Sequence, residues 1–152
     1  MDKGSREALP KLAFVVWFGI VAILIYSSWS NIISRSGWDP DDQLRMVQLR
    51  DFLGGQSWFD TTQYRLNAPE GGPMHWSRLI ELPLALVVLL ATPLFGQPAA
   101  EMVAGTLVPL LCFGLVAYML GRIALRLGGP LAVGIAIVMT MVSPAISMQL
   151  RP

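Results

Sequence analysis

Three aspartates, Asp39, Asp41 and Asp42, stand within four positions of one another in the stretch "WDPDDQLR", which closes on Arg45. Carboxylate oxygens are hard ligands for Mg²⁺ or Mn²⁺, and a carboxylate held beside a hydroxyl can take its proton. Further along come Arg65, His75 in "MHWSR" and Arg78, side chains of types that hold phosphate or orient a polar substrate. The same residues also have a purely structural reading. Asp39 is placed as a helix N-cap, Pro40 as the first helical residue, and Asp41 and Asp42 in the first turn, where their charge opposes the positive end of the helix dipole. Asp41 then pairs with Arg45 at i, i+4, and the helix runs from Pro40 to about Leu53, stopping at Gly54 and Gly55. In that reading His75 beside Trp76 is an interfacial residue, and the arginines are headgroup contacts or surface ion pairs.

Apolar elements must position these groups. Of 152 residues, 54% are hydrophobic and 14% charged, against roughly one quarter charged in a soluble domain. The apolar residues fall in long uncharged runs, so the chain reads as an all-α, polytopic membrane protein. Its net charge of +1, without a basic patch or zinc-type ligand spacing, gives no sign of nucleic-acid binding. The single cysteine, Cys112, cannot form an internal disulfide and reads as a small buried hydrophobe.

Residues 12–33 and 102–121 are uncharged runs of spanning length, and residues 131–150 form a third after the turn signals Gly128, Gly129 and Pro130. The segment 82–95, "LPLALVVLLATPLF", is shorter, is bracketed by Pro83 and Pro93, and reads as a re-entrant or interfacial piece. Basic residues near span ends stay on the cytoplasmic side. Lys3, Arg6 and Lys11 therefore place residues 1–11 inside, and Arg122 and Arg126 place the loop 122–130 inside provided that 82–95 does not cross. About three spans are expected, with residues 34–101 a large external loop that holds the short acidic helix. Trp38, Trp58, Tyr64 and Trp76 are interleaved along that loop and suit the lipid interface, which makes membrane lipid an expected partner. The first run exceeds the apolar core of a signal peptide and no A-x-A site follows it, so it is expected to remain as an anchor.

"WDPDDQLR" resembles the first acidic motif of the GT-C glycosyltransferase superfamily, especially that of the oligosaccharyltransferase catalytic subunit. There an Asp-Pro pair in the first external loop is followed by an arginine six residues after the Asp, a spacing that Asp39, Pro40 and Arg45 match. "GGQSWFDTTQYRLNAPEG" looks like the stretch after the first helix of that loop, and "MHWSRLIELPLA" like a pattern in uncharacterised bacterial members. The resemblance implies a protein of the bacterial inner membrane that moves a sugar from a polyprenyl-phosphate-linked donor to an acceptor on the external face. It implies that Asp39 is the catalytic carboxylate, either binding a divalent metal (Mg²⁺ or Mn²⁺) or acting as general base. It further implies that Arg45, Arg65 and Arg78 meet lipid phosphate, with Asp41, Asp42 and His75 in supporting places. Asp41 and Asp42 are not acids in the family motif and rank below Asp39.

Members of the superfamily have many more spans than three and a second acidic motif in the next external loop. The chain is therefore expected to be the N-terminal part of such an enzyme, inactive unless a C-terminal region or a partner subunit completes it. The alternative is a small non-enzymatic membrane subunit whose external loop binds a partner and whose acids only cap a helix.

Overall fold

The structure, a computed structural model, describes Val15, residues 17–34 and residues 39–142. The basic residues of the N-terminus, Trp38 and residues 143–150 of the third apolar run lie outside the described residues. In chain order the elements are α1 (Trp17–Ser27), α2 (Trp29–Ser34), α3 (Pro40–Leu53), β1 (Thr62–Gln63), β2 (Gly72–Pro73), α4 (Arg78–Phe95) and α5 (Gln97–Val142). The chain is mostly helical and divides into two compact units, Met1–Gly37 with Pro109–Pro152, and Trp38–Val108. Among the described residues two helices are long and apolar enough to cross a membrane, Arg78–Phe95 and Gln97–Met139.

In the first unit, helical hydrogen bonding continues past Ser28, whose N–H donates to Leu24 O at 3.0 Å and whose carbonyl accepts from Ile32 N–H at 2.9 Å. The hydroxyls of Ser27 and Ser34 donate back to Leu24 O (3.1 Å) and Ser30 O (2.8 Å), which keeps polar atoms paired inside an apolar run. Trp17 lies against α5, its indole N–H donating to Leu110 O at 3.3 Å. The approach is possible because residue 114 is glycine: a Cβ there would sit 2.5 Å from Trp17 Nε1.

Helix α5 does not run straight. Its backbone leaves the helical region at Gly129 (φ 73°, ψ −164°), a conformation that needs glycine. A Cβ on Gly121 would lie 3.6 Å from Val133 Cγ1, whereas twelve residues of straight helix span about 18 Å. The chain therefore folds back at Gly129, and Pro130 opens the returning helix. The turn falls where the Gly-Gly-Pro signal puts it. The residues before it, expected as a loop over 122–130, are helical up to Gly128, because nothing between Arg122 and Leu127 breaks a helix. Arg122 sits on that helix and donates to the Tyr118 hydroxyl one turn earlier, at 2.9 Å.

The second unit is built on α3. Asp39 is extended (φ −72°, ψ 167°) and caps the helix, its Oδ1 accepting from Asp42 N–H at 2.9 Å, and Gly54 closes the other end by donating to Arg50 O at 2.8 Å. Met46 and Leu49 of α3 pack with Leu84, Ala85, Val88 and Ala91 of α4 and with Ala100 and Ala104 at the start of α5. Each fully buried Leu, Val or Met in such a cluster stabilises by about 1.5–3 kcal/mol. Helix α4 begins a turn before the apolar run that marks it in the sequence. Ser77 caps it, accepting from Leu79 N–H at 3.2 Å, and Glu81 lies in its first turn. Pro83 and Pro93, expected as brackets, lie inside the helix, where each removes one hydrogen bond without ending it. Between α3 and α4, β1 and β2 form a short antiparallel hairpin, Thr62 opposite Pro73 and Gln63 opposite Gly72. Gly71 permits it with φ +81°, and a Cβ there would stand 2.6 Å from Thr62 Cγ2.

Candidate functional site

The acidic residues and Arg45 share the exposed N-terminal part of α3. One oxygen of Asp39 is engaged in the cap, and Asp39, Asp41 and Asp42 are all exposed. The pair expected between Asp41 and Arg45 is not formed. The Arg45 guanidinium instead lies over the Trp76 ring, 5.1 Å from its centroid, and its buried Nε has no hydrogen-bond partner in the protein. Trp76 in turn touches the ring of exposed His75, with centroids 5.3 Å apart. The cap joins Asp39 to Asp42, the charge of Arg45 is felt at Asp42, the Arg45 guanidinium lies over Trp76, and the His75 ring meets Trp76 at a tilt of 53°. Acid, cation and imidazole therefore come from two stretches thirty residues apart in the chain.

Arg78 is placed quite differently. It is 3% exposed, and its guanidinium donates to Glu81 Oε2 (2.9 Å), Gln48 O (3.2 Å), Gln56 Oε1 (2.8 Å) and Asp60 O (2.6 Å) while lying over the Phe52 ring. Glu81 is 1% exposed. This group ties α3, the 54–77 connection and α4 together. Both terminal nitrogens of Arg78 are thus taken up by the protein itself. Arg65 is exposed and pairs with Asp51 at 2.6 Å, and Gln63 bonds to both partners. A third group was not legible as a site in the sequence: Arg50 meets Glu101 in two bonds of 2.6 Å, and Gln97 donates to the same carboxylate at 3.1 Å. Its one signal was Glu101 itself, a lone acid at the edge of an apolar run, which demands a partner when buried.

The carboxyls differ in electrostatics. Although the Asp42 side chain reaches solvent, desolvation by the surrounding protein, then the neighbouring charge of Asp39, pushes it above the ordinary carboxylate value, with Arg45 opposing. The Arg65 hydrogen bond holds Asp51 below it. Asp51 thus contributes stability that is present above the ordinary carboxylate pKa and lost as pH falls through its lowered value. Asp42 works the other way, favouring the folded state at low pH and losing that contribution as pH rises through its raised value. Carbon NMR of labelled aspartate carboxyls is expected to show Asp42 titrating after Asp51 as pH rises, and Arg65→Ala to move Asp51 upward while leaving Asp42 in place. Titration in the reverse order would contradict this arrangement.

Among the described residues no three His, Cys, Asp or Glu side chains come together as a metal group. Mg²⁺ takes six oxygens, commonly one or two carboxylates with waters and substrate phosphates. Asp39 fits as a single ligand in such a set, through the oxygen not used by the cap, and Asp41 and Asp42 project from the helix's first turn. No protein-family model matches the chain, and no match is found among curated proteins or among solved structures.

Proposed function

We propose that the chain is a multi-pass protein of the bacterial inner membrane, with a cytoplasmic N-terminus and residues 34–101 external, that serves a GT-C-type glycosyltransferase. The transferred sugar comes from a polyprenyl-phosphate-linked donor and goes to an acceptor on the external face. The observation that supports this reading best is the Arg45–Trp76 stack, which joins "WDPDDQLR" to "MHWSR", two of the stretches that carry the resemblance. In the proposed step the acceptor oxygen forms a bond to the anomeric carbon as the bond from that carbon to the phosphate oxygen breaks. The acceptor's proton goes to Asp39, and the electron pair leaves on the phosphate, whose charge Arg45 meets. His75 orients the acceptor or the phosphate from beside Trp76. If a divalent ion takes part, Asp39 is the residue to hold it, and its chemistry would be to neutralise the leaving phosphate.

Arg78 is committed to the interior, so the phosphate contact falls to Arg45, with Arg65 the lesser candidate because Asp51 already pairs with it. Titration of a short-chain polyprenyl phosphate into the full-length protein in detergent tests this. Arg45→Ala is expected to weaken binding by about 10- to 100-fold, the equivalent of one charge-assisted contact, and Arg65→Ala to change it far less. In the alternative reading, a non-enzymatic subunit in which Asp39 only caps a helix, the phosphate lipid would bind the Arg45→Ala protein as well as the wild type.

A further inference from the structure

We infer that α4 lies in the plane of the membrane interface, its exposed face in the acyl region and α3 on its aqueous side, although it is long and apolar enough to span. The first observation is the uniformity of that face: every exposed position between residues 79 and 95 is Leu, Ile, Pro or Phe. The two charged residues of α4, Arg78 and Glu81, are turned inward and neutralise each other. Such a face suits lipid hydrocarbon and offers nothing to a polar partner.

The second observation separates lying from crossing. Helix α3 packs along the middle of α4, Met46 and Leu49 clustering with Leu84, Ala85 and Val88. A spanning α4 would carry those residues to the centre of the bilayer, and α3 with them. Yet α3 exposes Asp41 and Asp42, and 44% of the Arg50 side chain is open. Charges facing hydrocarbon at that depth are strongly disfavoured. With α4 in the plane, its apolar face enters the acyl boundary and the charged surface of α3 stays in water.

A third observation marks the interface level. Arg78 lies over Phe52, and Phe52 meets Trp58 edge-on at 5.8 Å, which puts half-exposed Trp58 beside the start of α4 and next to Phe59, 92% exposed. A partly exposed tryptophan such as Trp58 anchors proteins at the headgroup level, and the apolar Phe59 ring beside it suits the acyl boundary. The inference deepens the proposed function by stating how the loop that carries Asp39 is held at the lipid surface, and its test does not involve sugar transfer.

The test uses full-length Cys112→Ser protein with single spin-labelled cysteines at Leu79, Leu86, Leu90 and Leu94, all exposed positions, in phosphatidylcholine–phosphatidylglycerol vesicles. Depth is read from relaxation by oxygen against that by a water-soluble nickel complex. An in-plane helix gives four similar depths, all in the outer acyl region. A spanning helix gives depths that change steadily along the roughly 22 Å from residue 79 to 94, and that result would overturn the inference. Labels reached by nickel and not by oxygen would overturn it too, because lipid would then not cover the face.

Discussion

Replacing Arg78 with methionine is expected to destabilise the protein by about 3–5 kcal/mol, the usual consequence of removing one partner of a buried ion pair. The cost arises in several places together. Glu81, 1% exposed, loses its cation, the Asp60 carbonyl and the Gln56 amide oxygen lose the donor that Arg78 supplies, and Gln48 O loses its second one. A double replacement, Arg78→Met with Glu81→Leu, removes the stranded carboxylate and is expected to recover part of the loss. It cannot recover all, because the Asp60 carbonyl and the Gln56 amide oxygen still lack the donor that Arg78 supplied. Arg65→Ala breaks an exposed pair and is expected to cost no more than about 1 kcal/mol. Urea unfolding in mild detergent, followed by tryptophan fluorescence, measures all three. Wild-type stability in Arg78→Met would show that Arg78 does not hold this unit together and would return it to the phosphate candidates.

What the sequence revealed of this fold divides by range. Helix α3 was legible to its ends because its signals are local: an aspartate cap, proline after it, acids in the first turn and glycines at the stop. The fold-back at Gly129 was legible for the same reason. The true start of α4 was not, since Arg78 and Glu81 look like flanking surface charges until partners at Gln48, Gln56 and Asp60 bury them. Those partners stand 18 to 30 residues away in the chain, and no periodicity reports such a meeting. The candidate site shows the same split. Asp39 as a cap follows from neighbours three residues on, whereas Arg45 turning from Asp41 to Trp76 depends on how α3 meets the segment before α4.

At Asp39, cap and chemistry can be separated by one substitution. Asparagine caps a helix about as well as aspartate, so in Asp39→Asn the bond to Asp42 N–H and the packing of α3 are expected to survive with stability changed by less than about 0.5 kcal/mol. The same change removes the charge needed to accept a proton or to hold an ion. Loss of a positioned general base costs about 10²- to 10⁴-fold in rate. Asp42→Asn, which alters a neighbouring charge outside the motif's key position, serves as the comparison and is expected to change the rate only modestly. The decisive measurement is transfer of radiolabelled sugar from a polyprenyl-phosphate-linked donor in native membranes, where any completing region or partner subunit is present, wild type against Asp39→Asn at equal abundance. Loss of transfer by at least about 100-fold, with folding intact, is expected; near-wild-type transfer by Asp39→Asn would rule out a chemical role and leave Asp39 a helix cap.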